Sequence, residues 1–180
     1  MKLKIRHIAG CFILLLGMTG SNSYAADIDE AAKYKLQSVF MYNFISSVEW
    51  PRLVYTNDEK TIDLCIIGQD KLGSVIDEVA KKAASKGVVI NVRRGVTAET
   101  AGDCNMAYIV AGEAAAVTPK LQGKPVLTVS EEKGFAKAGG IIEFSVQGGN
   151  VRFSINNHLA KEHGLKINPQ LLEAALEVIN

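Results

Sequence analysis

Gly139-Gly140-Ile141-Ile142-Glu143-Phe144-Ser145-Val146-Gln147-Gly148-Gly149-Asn150-Val151-Arg152-Phe153-Ser154-Ile155-Asn156 is the stretch whose reading decides the fold. Ile142, Phe144 and Val146 alternate with Glu143, Ser145 and Gln147, and Val151, Phe153 and Ile155 alternate with Arg152, Ser154 and Asn156. A period of two marks strands with one buried face, and Gly148-Gly149-Asn150 between them predicts a hairpin turn. The polar face offers one carboxylate, one cation and amides. That set does not make a catalytic centre.

Working outward, the preceding chain alternates strands with helices. Thr61–Ile67, Val88–Arg93, Cys104–Val110 and Pro125–Ser130 have strand character, and the near-continuous apolar content of Cys104–Val110 suits a central strand covered on both faces. Between them lie helical segments at Lys71–Ala84, with Asp70 as N-cap, and at Glu113–Leu121, with a turn or short helix at Thr97–Asp103. The expected class is α/β: a mostly parallel sheet flanked by helices, with a C-terminal antiparallel hairpin at its edge. Sites in such sheets form at the C-terminal ends of strands. Here those ends present Gly68-Gln69-Asp70, Ala111-Gly112-Glu113 and Ser130-Glu131-Glu132.

Two more helical regions frame the sheet. Ala31–Glu49 carries Leu36, Val39, Phe40, Phe44, Ile45 and Val48 at three- and four-residue spacing, and Trp50-Pro51 ends it. Trp50 has two readings, a core anchor or an aromatic wall of a ligand or partner site. After the hairpin, Asn157–His163 and Pro169–Ile179 are expected to be helical, the latter with an apolar stripe of Leu171, Leu172, Ala175, Leu176 and Ile179.

The N-terminus has the three parts of a secretory signal peptide. Lys2, Lys4 and Arg6 precede an apolar run from Ile8 to Met18, and Ser23-Tyr24-Ala25 sets cleavage between Ala25 and Ala26. Ile8-Ala9-Gly10-Cys11 resembles a lipoprotein box but lies before the apolar core rather than after it. The run is shorter than the roughly 18 residues a membrane span needs, so no membrane insertion is expected after cleavage. Residues 26–180 then form one domain of ordinary globular composition. Cleavage takes 20 basic residues to 17 against 19 acidic ones, a formal change from +1 to −2. Such a charge gives no reason to expect nucleic-acid binding.

Cys65 and Cys104 survive cleavage. An even pair in an exported chain favours a disulfide over two buried thiols. Closing a loop of about 40 residues would stabilise the fold by roughly 4 kcal/mol in the chain-entropy model. Nothing in the chain points to an enzyme, a metal or a cofactor. His158 and His163 are five positions apart rather than a metal-binding four, and no nucleophile elbow, zinc motif or cysteine–histidine signature occurs. Gly68 and Gly73 have phosphate-loop spacing, but Ser74 stands where such a loop needs lysine and Asp70 would repel a phosphate.

Several stretches together resemble one family. They are Tyr34-Lys35-Leu36 running to Asn43-Phe44 and Trp50-Pro51, Cys65-Ile66-Ile67-Gly68, Cys104, Leu127-Thr128-Val129-Ser130 and Gly134-Phe135-Ala136. Gly139-Gly140-Ile141-Ile142, Val151-Arg152-Phe153-Ser154-Ile155-Asn156 and Leu171-Leu172 complete the pattern. The chain resembles the YfiR/HmsC-like family of exported bacterial proteins over essentially its whole mature length. The resemblance implies a periplasmic regulator that binds the periplasmic region of an inner-membrane diguanylate cyclase and holds it inactive. Cyclic di-GMP, exopolysaccharide and biofilm output would fall accordingly. It also implies a homodimer, and it matches Cys65 and Cys104 to a family disulfide; with no further cysteine in the mature chain, a second redox pair is absent. Candidate contact residues for a partner or a small ligand are Trp50, Phe135, Glu143, Arg152 and Asn156. A cleft near Trp50, Phe135 and the strand ends is the alternative reading, a small-ligand sensor.

Overall fold

The computed structural model describes residues 28–51, 55–56 and 59–180. The expected signal peptide lies outside them. Helix α1 (Glu30–Ser47) is followed by the short strands β1 (Val48–Glu49) and β2 (Tyr55–Thr56), then by β3 (Glu59–Ile67), α2 (Ser74–Ala84) and β4 (Val88–Arg93). After a single 3-10 turn come β5 (Met106–Ile109), α3 (Ala114–Val117) and β6 (Leu127–Ser130). The chain closes with β7 (Ile142–Gln147), β8 (Asn150–Asn156), α4 (Asn157–Glu162), β9 (Lys166–Ile167), α5 (Pro169–Ala174) and β10 (Val178–Ile179).

The main sheet runs β10-β8-β7-β6-β5-β3, with β4 beside β3 and β2 on the N-terminal end of β3. The pairings of β4, β3, β5, β6 and β7 are all parallel, β7 and β8 form the antiparallel hairpin, and β10 joins β8 in parallel. The α/β class is therefore as expected. Strand alternation builds two cores, because successive side chains leave opposite faces. Met106 and Tyr108 of β5 enter a larger core with Ile62, Leu64 and Ile66, Phe44 and Phe153, while Ala107 and Ile109 enter a smaller one with Val117, Leu121 and Phe135. Both faces of β5 are covered.

Four local expectations change. The helix α1 stops at Ser47 rather than Glu49, because Val48–Glu49 pairs antiparallel with Lys166–Ile167. Lys60 Nζ donates to the carbonyls of Ile45 (2.5 Å) and Val48 (3.2 Å), placing a cation on the end of the helix where the dipole favours one. Helix α2 starts at Ser74, since Asp70 Oδ1 accepts from the amides of Leu72 and Gly73 in a turn that precedes the helix instead of capping it. The last apolar stripe is helical only to Ala174. Beyond it, Leu176 N donates to Phe153 O and Ile155 N to Glu177 O, so strand pairing with β8 takes the chain away from helix. The hairpin is consequently not the edge of the sheet, because β10 lies against β8.

The fourth change concerns which face of α1 is buried. Tyr34, Gln37, Ser38, Met41, Phe44 and Ile45 turn inward, whereas Leu36 and Val39 are 42% and 45% exposed.

Candidate functional site

Strand β6 delivers Ser130-Glu131-Glu132 to the C-terminal end of the sheet, where the first half of α1 crosses it. The Glu131 carboxylate receives Lys33 Nζ (2.9 Å), Tyr34 OH (3.1 Å) and Gln37 Nε2 (3.2 Å). Gln37 is held from its other side by Tyr108 OH, which donates to Oε1 at 3.0 Å from within the core. The inward polar groups of Tyr34 and Gln37 thus find partners on β5 and just beyond β6, as buried amides and charges require.

The electrostatics follow from the packing. Burial pushes the Glu131 carboxyl upward, but the hydrogen bonds from Lys33, Gln37 and Tyr34 outweigh it and hold the group below its ordinary value. Burial acts downward on Lys33, and Glu131 and Tyr34 reverse it, so the ammonium is raised. Burial drives the Tyr108 hydroxyl well up, and it stays neutral as a hydrogen-bond donor. Next door, Glu132 Oε2 accepts from Gly112 N at 2.7 Å, tying together the loops that follow β5 and β6. At the third strand end Asp70 Oδ2 accepts from Arg94 Nε at 2.7 Å, so all three strand ends that the fold rule singles out are engaged in internal pairing. Beside Glu131 a cavity of about 310 Å³ is lined by Lys33, Gln37, Ala111, Phe144, Ser145 and Val146. The Ser145 hydroxyl is buried in the wall of β7 without a hydrogen-bond partner.

The residues singled out from the sequence fall into three places. Phe135, Glu143 and Asn156 come together as a lock on one loop. Glu143 Oε1 and Oε2 accept from the amides of Gly134 (2.9 Å) and Ala136 (3.1 Å), and Asn156 Nδ2 donates to Ala136 O (2.8 Å). The loop so held plugs Phe135, 2% exposed, into the smaller core. Gly140 is required beneath it, because a Cβ there would sit 2.1 Å from the ring. Asn156 Oδ1 also accepts from Leu159 N and caps α4. Glu143 and Arg152, which share the hairpin's polar face, form no cross-strand pair: Glu143 lies opposite Ser154, its oxygens are taken by the loop, and exposed Arg152 lies opposite Ser145.

Trp50 is elsewhere. It is 7% exposed, its Nε1 donates to Asn105 O at 3.0 Å, and Lys60 Nζ stands 4.7 Å from its ring centre. Asn105 precedes β5, so Trp50 anchors the N-terminal end of the sheet while Phe135 lies near its C-terminal end. They do not share a cleft. Cys65 of β3 and Cys104, two residues before β5, form a disulfide with Cα atoms 6.0 Å apart, and both are buried. The network residues Gln37, Tyr108 and Lys60 were not marked by any motif. Their one sequence signal is a polar side chain inside an otherwise apolar run.

The sequence matches the YfiR/HmsC-like family model over residues 34–176, from the first turns of α1 to the approach to β10. The protein belongs to the YfiR/HmsC-like family. That family comprises periplasmic regulators that act with membrane diguanylate cyclases rather than enzymes. No curated protein matches the chain. Among solved structures, an ABC domain in complex with L-Trp from Streptococcus pneumonia is similar, with 14% identity, a TM-score of 0.52, and coverage of 82% of this chain and 62% of that one. A conserved domain protein from Vibrio cholerae O1 biovar El Tor has 11% identity, a TM-score of 0.48, and coverage of 81% and 60%. The YfiR/HmsC-like chain thus spans less than two thirds of either structure, and the first likeness is one of fold alone. Among the described residues, no helix is long and apolar enough to cross a membrane.

Proposed function

We propose that this YfiR/HmsC-like protein is exported to the periplasm, binds the periplasmic region of an inner-membrane diguanylate cyclase and holds it inactive. Cyclic di-GMP falls, and exopolysaccharide and biofilm with it. The observation that carries this reading is family membership across residues 34–176. The strand-end carboxylates Glu131 and Glu132 are paired inside the fold, which gives them a structural role compatible with that reading. In this reading the signal crosses the membrane through protein contact, the protein acts as a homodimer, and the Cys65–Cys104 bridge maintains the fold.

Deleting the gene tests the proposal. Cyclic di-GMP and surface attachment rise in the deletion strain, and removing the responsible cyclase as well abolishes the rise. An unchanged level with the cyclases intact contradicts it.

One observation favours a second reading, a small-ligand sensor. The cavity of about 310 Å³ beside Glu131 is within the size range of small-molecule sites. A structure of similar fold is described in complex with L-Trp. Thermal-shift screening of periplasmic metabolites separates the readings, because a sensor gains stability with its ligand and a pure contact protein gives flat responses.

A further inference from the structure

Helix α1 leaves uncovered an apolar surface that its own sequence marks for burial. Leu36 and Val39 are two of the four large apolar side chains exposed among the described residues. Val39 also forms one wall of a groove between α1 and α2, whose floor and walls are Tyr42, Val79 and Ala83 and whose rim carries Lys82 and Lys86. The cavity is about 160 Å³. That is below the roughly 300 Å³ at which small-molecule pockets begin, and it suits one inserted side chain.

The charge around the groove is one-sided. Lys86 Nζ lies 5.6 Å from the Tyr42 ring centre, and neither Lys82 nor Lys86 has a carboxylate partner among the described residues. Lys35 lies one turn before Val39 on α1; of the two carboxylates near in sequence on α2, Asp77 pairs with Arg94 at 2.9 Å and Glu78 lies one turn before Lys82. This local excess of cations sits on a chain whose mature formal charge is −2 after loss of Lys2, Lys4 and Arg6. An isologous pairing of two copies through the groove would set lysines against lysines. A partner segment bearing carboxylates meets the opposite condition, and a helix that lays one apolar anchor into such a groove is an established mode of recognition.

We propose that the α1–α2 groove docks an acidic segment of a partner protein, with one bulky apolar side chain entering between Val39 and Val79 while carboxylates pair with Lys82 and Lys86. This deepens the contact reading above and rests on it. The test uses the mature protein and the purified periplasmic region of the cyclase whose removal abolishes the cyclic di-GMP rise in the deletion strain. Calorimetry compares wild type with Val39→Asp, Lys82→Glu/Lys86→Glu and Lys82→Arg/Lys86→Arg, each first shown to melt as wild type does.

The expected result is at least a tenfold weaker Kd for Val39→Asp and for the charge reversal. The arginine pair stays within about threefold, and wild-type affinity falls as salt rises. Binding by Val39→Asp and by the reversal within twofold of wild type overturns the groove while leaving the regulator reading intact. No binding of wild type to that region overturns both the groove and the contact reading. Sedimentation covers the remaining occupant: a wild-type dimer that Val39→Asp converts to monomer assigns the groove to a second copy and overturns the proposal.

Discussion

The β7–β8 hairpin and helix α1 pack against each other through aromatic side chains, yet their sequences predict their burial with very different success. In the hairpin, Ile142, Phe144, Val151, Phe153 and Ile155 are all buried as alternation requires, with Val146 near the tip as the exception. In α1, two of the six apolar residues expected inside face solvent, and Gln37 and Ser38 are 1% and 0% exposed in their place. A strand has two faces, so a period of two leaves no intermediate choice. A helix turns about 100° per residue, and a broad apolar arc can rotate until polar partners settle it. The partners here are distant in sequence: Tyr108 and Glu131 for Gln37. Ser38 is satisfied locally, its hydroxyl donating to Tyr34 O at 2.8 Å.

The largest effect tests where the two elements agree. Phe44 is fully buried, with ring centres of Phe40, Phe144 and Phe153 at 6.1, 5.6 and 5.1 Å. Phe44→Ala is expected to lower unfolding free energy by about 3–5 kcal/mol, read as a shifted denaturant midpoint with an unchanged m-value. The Cys65–Cys104 bridge comes next. Cys65→Ser is expected to destabilise by about 2–4 kcal/mol, and reductant is expected to lower the melting temperature of wild type but not of the variant.

A smaller effect separates the hairpin's polar face from a merely solvated one. Glu143→Ala leaves two backbone amides of the Gly134–Ala136 loop without their acceptor, an expected loss of about 1–3 kcal/mol. Arg152→Ala, at an exposed position, should fall within about 0.5 kcal/mol. If the two variants melted alike, the loop lock would be wrong. Glu131 gives a test in pH. Its carboxyl is held below its unfolded value, so the folded state binds fewer protons there and its contribution is complete above about pH 4.3. Stability is expected to fall as pH drops through the folded value, and Glu131→Gln should flatten that part of the profile. The smallest expected change is Leu36→Ala, within about 0.5 kcal/mol despite its apolar character.

The parallel sheet, the order of its strands in the chain and the disulfide were legible because each rests on local alternation, glycine turns or a cysteine pair. The β10 strand was not, since Leu171, Leu172, Ala175 and Leu176 carry a helical spacing that pairing with β8 overrides. Of the site, Glu131 was visible as a residue at a strand end. Its partners were not: Lys33, Tyr34 and Gln37 are nearly a hundred positions away, and nothing in their own neighbourhood points to Glu131. Phe135, Glu143 and Asn156 were legible only as separate contact candidates, Phe135 beside Trp50 and the other two on the hairpin's polar face; that they jointly pin one loop was not.

The account stands or falls on contact between this protein and a membrane cyclase. Crosslinking in intact cells, followed by purification of the tagged protein from the periplasmic and membrane fractions, tests it most directly. The account predicts recovery of a diguanylate cyclase crosslinked through its periplasmic region, with recovery reduced by Lys82→Glu/Lys86→Glu. A functional tagged protein that crosslinks to no cyclase would contradict it.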